Sequence, residues 1–253
     1  METKNNQKKS LIELLTCLDA SSDSIEIKVI FKEIAVELFS NYHIQKGDRN
    51  YELLEIEFYF FSNSHKDIIT YPRTSDRPGM WFFHMSGVDI TFGSKAQRDK
   101  NFYGGILIRS MIRTDVSEPL PISGPMKCVE ELFDYINAVD YNVKNDIPCI
   151  VRNDEIGYIP TVPISIDRNL NHCPRFIPFR VKANENIEAK IKSKLEDLKR
   201  RRELEIEQDE FKNYLKAEYR YYIECDEEYW NSKYSACPLK SKRDKNDNRF
   251  LCK

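Results

Sequence analysis

Residues 52–61, ELLEIEFYFF, alternate with a period of two. Successive strand residues point to opposite faces, so this run commits the chain to a β-sheet with one packed side. Ile56, Phe58 and Phe60 point one way and make the core side, while Glu55, Glu57, Tyr59 and Phe61 point the other. An acid beside an aromatic on that second face can build the floor of a pocket. The alternative is a solvent-facing edge carrying ordinary surface carboxylates.

The rest of the chain arranges itself around this strand. Ile30, Ile34, Leu38 and Phe39 recur at helical spacing and predict a helix over about 28–40. KGDRN at 46–50 reads as a turn, and residues 62–80 as a long punctuated loop carrying His65. Two more strand-like runs follow, WFFHMSGVDITF at 81–92 and GGILIRSMI at 104–112. In the first, Trp81, Phe83 and Met85 share a face opposite Phe82 and His84. In the second, Arg109 stands in an apolar run, where an unpaired buried charge is very costly. It therefore needs a partner, Asp89 or a ligand phosphate. MKCVEELFDYI at 126–136 reads as a helix, and residues 142–182 as loop with short apolar runs. From 186 to about 222 the pattern is helical and highly charged. Strands mixed with loops, and helices at both ends, predict an α+β fold. The expected parts are an N-terminal arm with a short helix (1–24), one mixed domain with a curved, largely antiparallel sheet (25–185), and a charged helical C-terminal extension (186–253).

Cysteines and hydropathy bound the environment. The seven cysteines are irregularly spaced with no CxxC pair, which argues against a disulfide framework or a zinc knuckle. Reduced thiols in a cytoplasmic setting are expected. No apolar run approaches the roughly 18–20 residues a bilayer span needs. The start METKNNQKKS is basic, but the LIELLTCL that follows is interrupted by Glu13, so no cleaved secretory segment is expected.

Five blocks, in order, resemble the alkyladenine (3-methyladenine, methylpurine) DNA glycosylase family. They are EIEFY at 55–59, His65 in the following loop, GMWFFHMSG at 79–87, GGILIRSM at 104–111 and SGPMKC at 123–128. The corresponding family features are a strand ending E-x-E-A-Y, a loop with a His, a glycine-led aromatic strand, a strand G-x-V-L-I/L-R-A, and a helix opening S-G-P-x-K-L-C. The resemblance implies a methylpurine-glycosylase-like sheet and excision of a modified purine from double-stranded DNA in base-excision repair, without metal or cofactor. It makes Glu57 the base that activates the water attacking C1′, with Arg109 supporting that water or a neighbouring phosphate. Tyr59 and His65 would flank the flipped base and Phe83 would stack on its other side. The chain departs from the family at three points. Ser86 stands where the family has an intercalating Tyr, leaving Met85 as the neighbouring wedge. Gly93 stands where it has a base-discriminating Asn, and the loop between Glu57 and His65 is three residues shorter.

Net charge is −2 overall. A surface for DNA must therefore be a local patch, and Arg73, Arg77, Arg98, Lys100 and Arg109 are placed to supply one around the pocket. In 187–222, Ile187, Ile191, Leu195 and Leu198 make a narrow apolar stripe beside the run KRRR at 199–202. That segment reads as a solvated helix face, and its functional alternatives are a DNA-backbone contact or a docking stripe for a protein partner. Two rivals to a glycosylase stay open: a catalytically inactive nucleic-acid-binding relative, and a protein-interaction module.

Overall fold

Helix formation begins at two polar caps. Ser10 and Glu13 make a reciprocal capping box on α1 (Leu11–Leu14), and Asp23 accepts from the backbone N–H groups of Ile25 and Glu26 at the start of α2 (Ser24–Asn41). Asp23 is why α2 starts four residues before the apolar spacing alone indicates. The computed structural model describes residues 9–72, 77–93, 102–117, 121–139, 146–154, 158, 170–175 and 186–223.

After α2 the chain turns into β1 (Tyr42–Lys46) and β2 (Arg49–Ser62), joined by a tight turn at Gly47 and Asp48. Gly47 has φ +59°, a left-handed conformation natural to glycine in such a hairpin. β3 (Trp81–His84) and β4 (Gly87–Thr91) form a second hairpin, followed by β5 (Phe102–Arg113) and β6 (Pro121–Ser123). Then come α3 (Pro125–Leu132), β7 (Cys149–Arg152), β8 (Leu170–Cys173), α4 (Ile187–Arg202), α5 (Gln208–Lys216) and β9 (Arg220–Ile223).

The strands make one curled antiparallel sheet in the order β3-β4-β5-β2-β1-β7, with β6 on β5 and β9 between β2 and β8. The curl brings the two ends of that path close, since the Trp81 indole N–H donates to the carbonyl of Pro148, just before β7, at 2.7 Å. The fold is mixed α+β, as strands mixed with loops and helices at both ends predict.

The core follows the alternation of β2. Phe31 of α2 stacks on Phe58 at 4.4 Å, and Phe92, Tyr219 and Tyr221 pack around the same pair. Each such buried side chain contributes about 1.5–3 kcal/mol of transfer free energy. α1 and the turn after it join this core through Leu11, Leu14, Leu15 and Leu18.

Residues 186–222 do not form one helix. Glu203, at φ +51°, closes α4, and the chain re-enters the helical state at α5 before β9 pairs with β2 and β8. The segment expected to be a helical appendage thus contributes a strand to the main sheet. The apolar stripe of α4 is also used internally, because Ile191, Leu195 and Leu198 are buried with Ile68, Phe211 and Leu215 in a second cluster. The basic run beside it is largely occupied. Arg200 and Arg201 pair with Asp197, Lys199 with Glu205, and Arg202 donates to the carbonyl of Thr70. Among the described residues no helix is long and apolar enough to cross a membrane, and Cys17, Cys128 and Cys149 are free thiols.

Candidate active site

Glu55 sits where β2 is irregular. Register shifts against β5 fall on both sides of it, between Leu53 and Glu55 and between Glu55 and Ile56. Bulges of this kind increase the local twist and re-aim side chains. Here Glu55 and Glu57 both come to face Arg109. The Arg109 Nε donates to Glu55 Oε1 at 2.8 Å, and its Nη1 donates to Glu57 Oε2 at 3.3 Å. Glu55 also accepts from Arg220 of β9 and, at 3.1 Å, from the Ser110 hydroxyl. The Tyr59 hydroxyl donates to Glu57 Oε2 at 2.7 Å.

These are not surface carboxylates. Glu57 is 0 % exposed and Glu55 1 %. Two guanidinium groups against two carboxylates leave the cluster neutral, which is how such charges survive burial. Burial alone would push Glu55 up, but Arg220 and Arg109, with hydrogen bonds from Arg220 and Ser110, hold it below the usual carboxylate range. Burial would likewise push Arg109 down, and Glu57 and Glu55 outweigh it so that it stays charged. Tyr59 moves well above the ordinary phenol range, chiefly through burial and then through the Glu57 charge. It therefore remains a donor to Glu57. Behind it, the Arg175 guanidinium lies 4.7 Å from the Tyr59 ring centre and 5.2 Å from that of Tyr219. Arg175 is fully buried and bound to Asp67 at 2.6 and 3.1 Å and to the carbonyls of Phe58 and Tyr214.

Cross-strand register places a second group on the same face. Asp89 of β4 is opposite Leu107, and Leu107 is opposite Glu57, so the three share one side of the sheet. Asp89 pairs with His84, not with Arg109 as the sequence suggested; the His84 Nε2 to Asp89 Oδ1 distance is 3.0 Å. The β3–β4 turn then projects, with Met85 90 % exposed and Ser86 also exposed.

Two sequence-predicted residues lie apart from Glu57. His65 is on the α2 side of β2, where its Nδ1 meets the Ser24 hydroxyl at 3.2 Å and its ring lies against Tyr214, Tyr219 and Phe60. Burial holds it down at about 4, so it is neutral at ordinary pH. Phe83 alternates to the face opposite His84 and packs edge-on against Phe133 at 4.6 Å, half of it exposed. The aromatic sandwich of Tyr59 and His65 against Phe83 is thus not assembled, whereas Glu57, Tyr59 and Arg109 are. Gly93 holds no room for a side chain, since an added Cβ would lie 2.4 Å from the Pro78 backbone nitrogen. Arg77 is exposed. Arg73, Arg98 and Lys100 lie outside the described residues.

Sequence reading missed three contributors. Arg220 is 165 positions from Glu55 and carries no local signal. Arg175 lies in a loop between short apolar runs. The His84–Asp89 pair was accessible, because reading 81–91 as a hairpin turning at 85–86 places both residues beside its tip. A groove of about 690 Å³ lies away from this cluster, between α2, α5 and β9, lined by Lys28, Val29, Lys32, Tyr214, Tyr219 and Tyr221 among others. No family model, no curated protein and no solved structure matches the chain.

Proposed function

We propose that the chain is a monofunctional DNA base-excision glycosylase acting on a flipped-out modified purine, built on a methylpurine-glycosylase-like sheet. The observation that carries this reading is the hydrogen-bonded set Glu57, Arg109 and Tyr59, with Glu57 on the same side of the sheet as Asp89, which meets His84 beside the exposed β3–β4 turn. A base cannot be cut from its sugar inside the stack, so it must be extruded, and an apolar residue fills the gap it leaves. Met85 supplies that wedge where Ser86 cannot. Arg77, with Arg73, Arg98 and Lys100, supplies phosphate contacts.

Chemistry at the extruded nucleotide needs a carboxylate and a water. Glu57 takes a proton from water as the water oxygen bonds to C1′. The C1′–N bond breaks with its electron pair leaving on the base, and the carboxylate steadies the oxocarbenium-like state between them. Arg109 fixes the orientation of Glu57. The Tyr59 hydroxyl occupies Glu57 Oε2 in the free protein, so the entering nucleotide displaces it, and the ring then serves as a stacking surface worth about 1–3 kcal/mol.

The test is to incubate the purified chain with duplexes carrying 3-methyladenine, 7-methylguanine, 1,N6-ethenoadenine or hypoxanthine. Base release by wild type above Glu57→Gln is expected; no release above that variant removes the enzymatic reading. A second reading, a catalytically silent DNA-binding relative, is favoured by the complete burial of Glu57. It predicts salt-sensitive duplex binding that Glu57→Gln leaves unchanged, with no base released by either protein.

A further inference from the structure

The residue that precedes the β3–β4 turn is a histidine engaged at both ring nitrogens. His84 Nε2 lies 3.0 Å from Asp89 Oδ1, and the Ser86 backbone N–H donates to His84 Nδ1 at 3.1 Å. A backbone N–H can only donate, so Nδ1 is the unprotonated nitrogen and Nε2 carries the proton that Asp89 accepts. Asp89 is 0 % exposed and stands in β4, every residue of which is buried. Tyr71 covers the imidazole at 4.8 Å. The pair therefore runs from a buried strand to the exposed turn, gripping the turn by the amide of Ser86.

The turn needs such a grip. Its two central residues, Met85 and Ser86, are both exposed, so their own packing does little to hold them. Gly87 closes the turn at φ +147°, where an added Cβ would come within 2.8 Å of Leu107 and Pro125, so only glycine fits at the return into β4. Methionine is an adaptable side chain, and presenting it from a loose turn would add an ordering cost to every encounter with a partner. We infer that Asp89 and His84 form a clasp that sets the β3–β4 turn with Met85 outward, making them positioning residues for the contact with duplex DNA. The partner rests on the glycosylase reading; the clasp itself rests only on the geometry of the free protein.

Two measurements on the full chain separate these. In the first, nitrogen-15 NMR of the free protein reads the His84 tautomer and the exchange of the Ser86 amide. The expected result is a proton on Nε2 and a protected amide. His84→Ala should accelerate Ser86 exchange about fivefold, the value of one neutral hydrogen bond. Asn at position 84 can accept from the amide two residues on, as in an Asx turn, so His84→Asn should restore most of that protection. A proton on Nδ1, or equal exchange in wild type and His84→Ala, overturns the clasp. Asp89→Ala, which removes the acceptor of the Nε2 proton, provides the same comparison should His84→Ala fail to fold.

The second measurement uses a hypoxanthine duplex with 2-aminopurine beside the lesion, in a Glu57→Gln background that prevents turnover. Unstacking raises the fluorescence; adding His84→Ala should cut the rise about fivefold and adding His84→Asn should recover it. Lost amide protection with an unchanged fluorescence rise sinks the positioning role. A clasp seen by NMR with no fluorescence response from any protein sinks the DNA reading instead.

Discussion

Acidification should destabilise this fold through His65. Burial holds the imidazole at about 4, against an ordinary value of 6.5, with Asp67 opposing and Arg175 and Lys28 reinforcing the shift. Its Nε2 is buried with no hydrogen-bond partner among the described residues, and tyrosine and phenylalanine rings close around it. A histidine depressed in the folded state contributes its full stability above the unfolded value and loses it as pH falls toward the folded one. Below 6.5 the unfolded chain takes up a proton that the folded chain refuses, so stability falls at up to about 1.4 kcal/mol per pH unit. Across the whole interval from 6.5 to about 4 the loss is about 3 kcal/mol, or roughly 6–12 °C in melting temperature for a chain of this size. His43, also held down mainly by burial, adds to the same slope. The assay is therefore a difference: urea unfolding at several pH values between 7 and 5, at constant ionic strength, for wild type and for His65→Phe. His65→Leu guards against a misfit of the larger ring. The gap between wild-type and variant profiles should narrow or reverse as pH falls. Parallel profiles, or a His65 resonance titrating at 6 or above, refute the reasoning.

Glu55→Ala should cost about 3–5 kcal/mol, because it removes the buried carboxylate that Arg109 and Arg220 share, and chemical denaturation reads it directly. Glu55→Gln should be milder, since it keeps acceptor capacity. Asp67→Ala should cost a similar amount by leaving Arg175 without its carboxylate, and the same variant should alter Tyr59 fluorescence or its NMR shifts, because Arg175 lies over that ring. Restoring the family's asparagine with Gly93→Asn should destabilise by about 1–3 kcal/mol, as the 77–78 backbone must move aside; a thermal midpoint equal to wild type would count against the close approach.

What the sequence made legible was what short-range periodicity encodes. The alternation at 52–61 specified β2 and its packed face, and the apolar spacing of Ile30, Ile34 and Leu38 specified most of α2, because burial of one side of an element imposes its own repeat on the chain. The 186–222 region misled for the same reason. Its charge and spacing are those of a helix surface, but the RYYI run at 220–223 sits at its end, and four residues are too few to announce a strand. Whether such a run becomes β depends on an open edge elsewhere, and β2 offered one at Glu55–Glu57. That pairing is a long-range event, so no window of sequence contains it.

The site shows the same division more sharply. Glu57, Tyr59 and Arg109 were readable because two of them alternate on one strand and the third is a lone charge in an apolar run. Arg109 demanded a carboxylate, but sequence alone could not say which. Asp89 was the nearer candidate along the chain, yet the antiparallel ladder sets Asp89 across Leu107 from Glu57 and leaves it to His84. Two bulges at Glu55 then bring a second carboxylate to Arg109, and the extra negative charge is what Arg220 balances. A buried carboxylate and a buried guanidinium must each be answered before the fold is stable, so each irregularity in β2 requires a compensating residue from another strand. The compensation, not the motif, is why this carboxylate pair can sit out of water, and it came from the one segment whose secondary structure the sequence disguised.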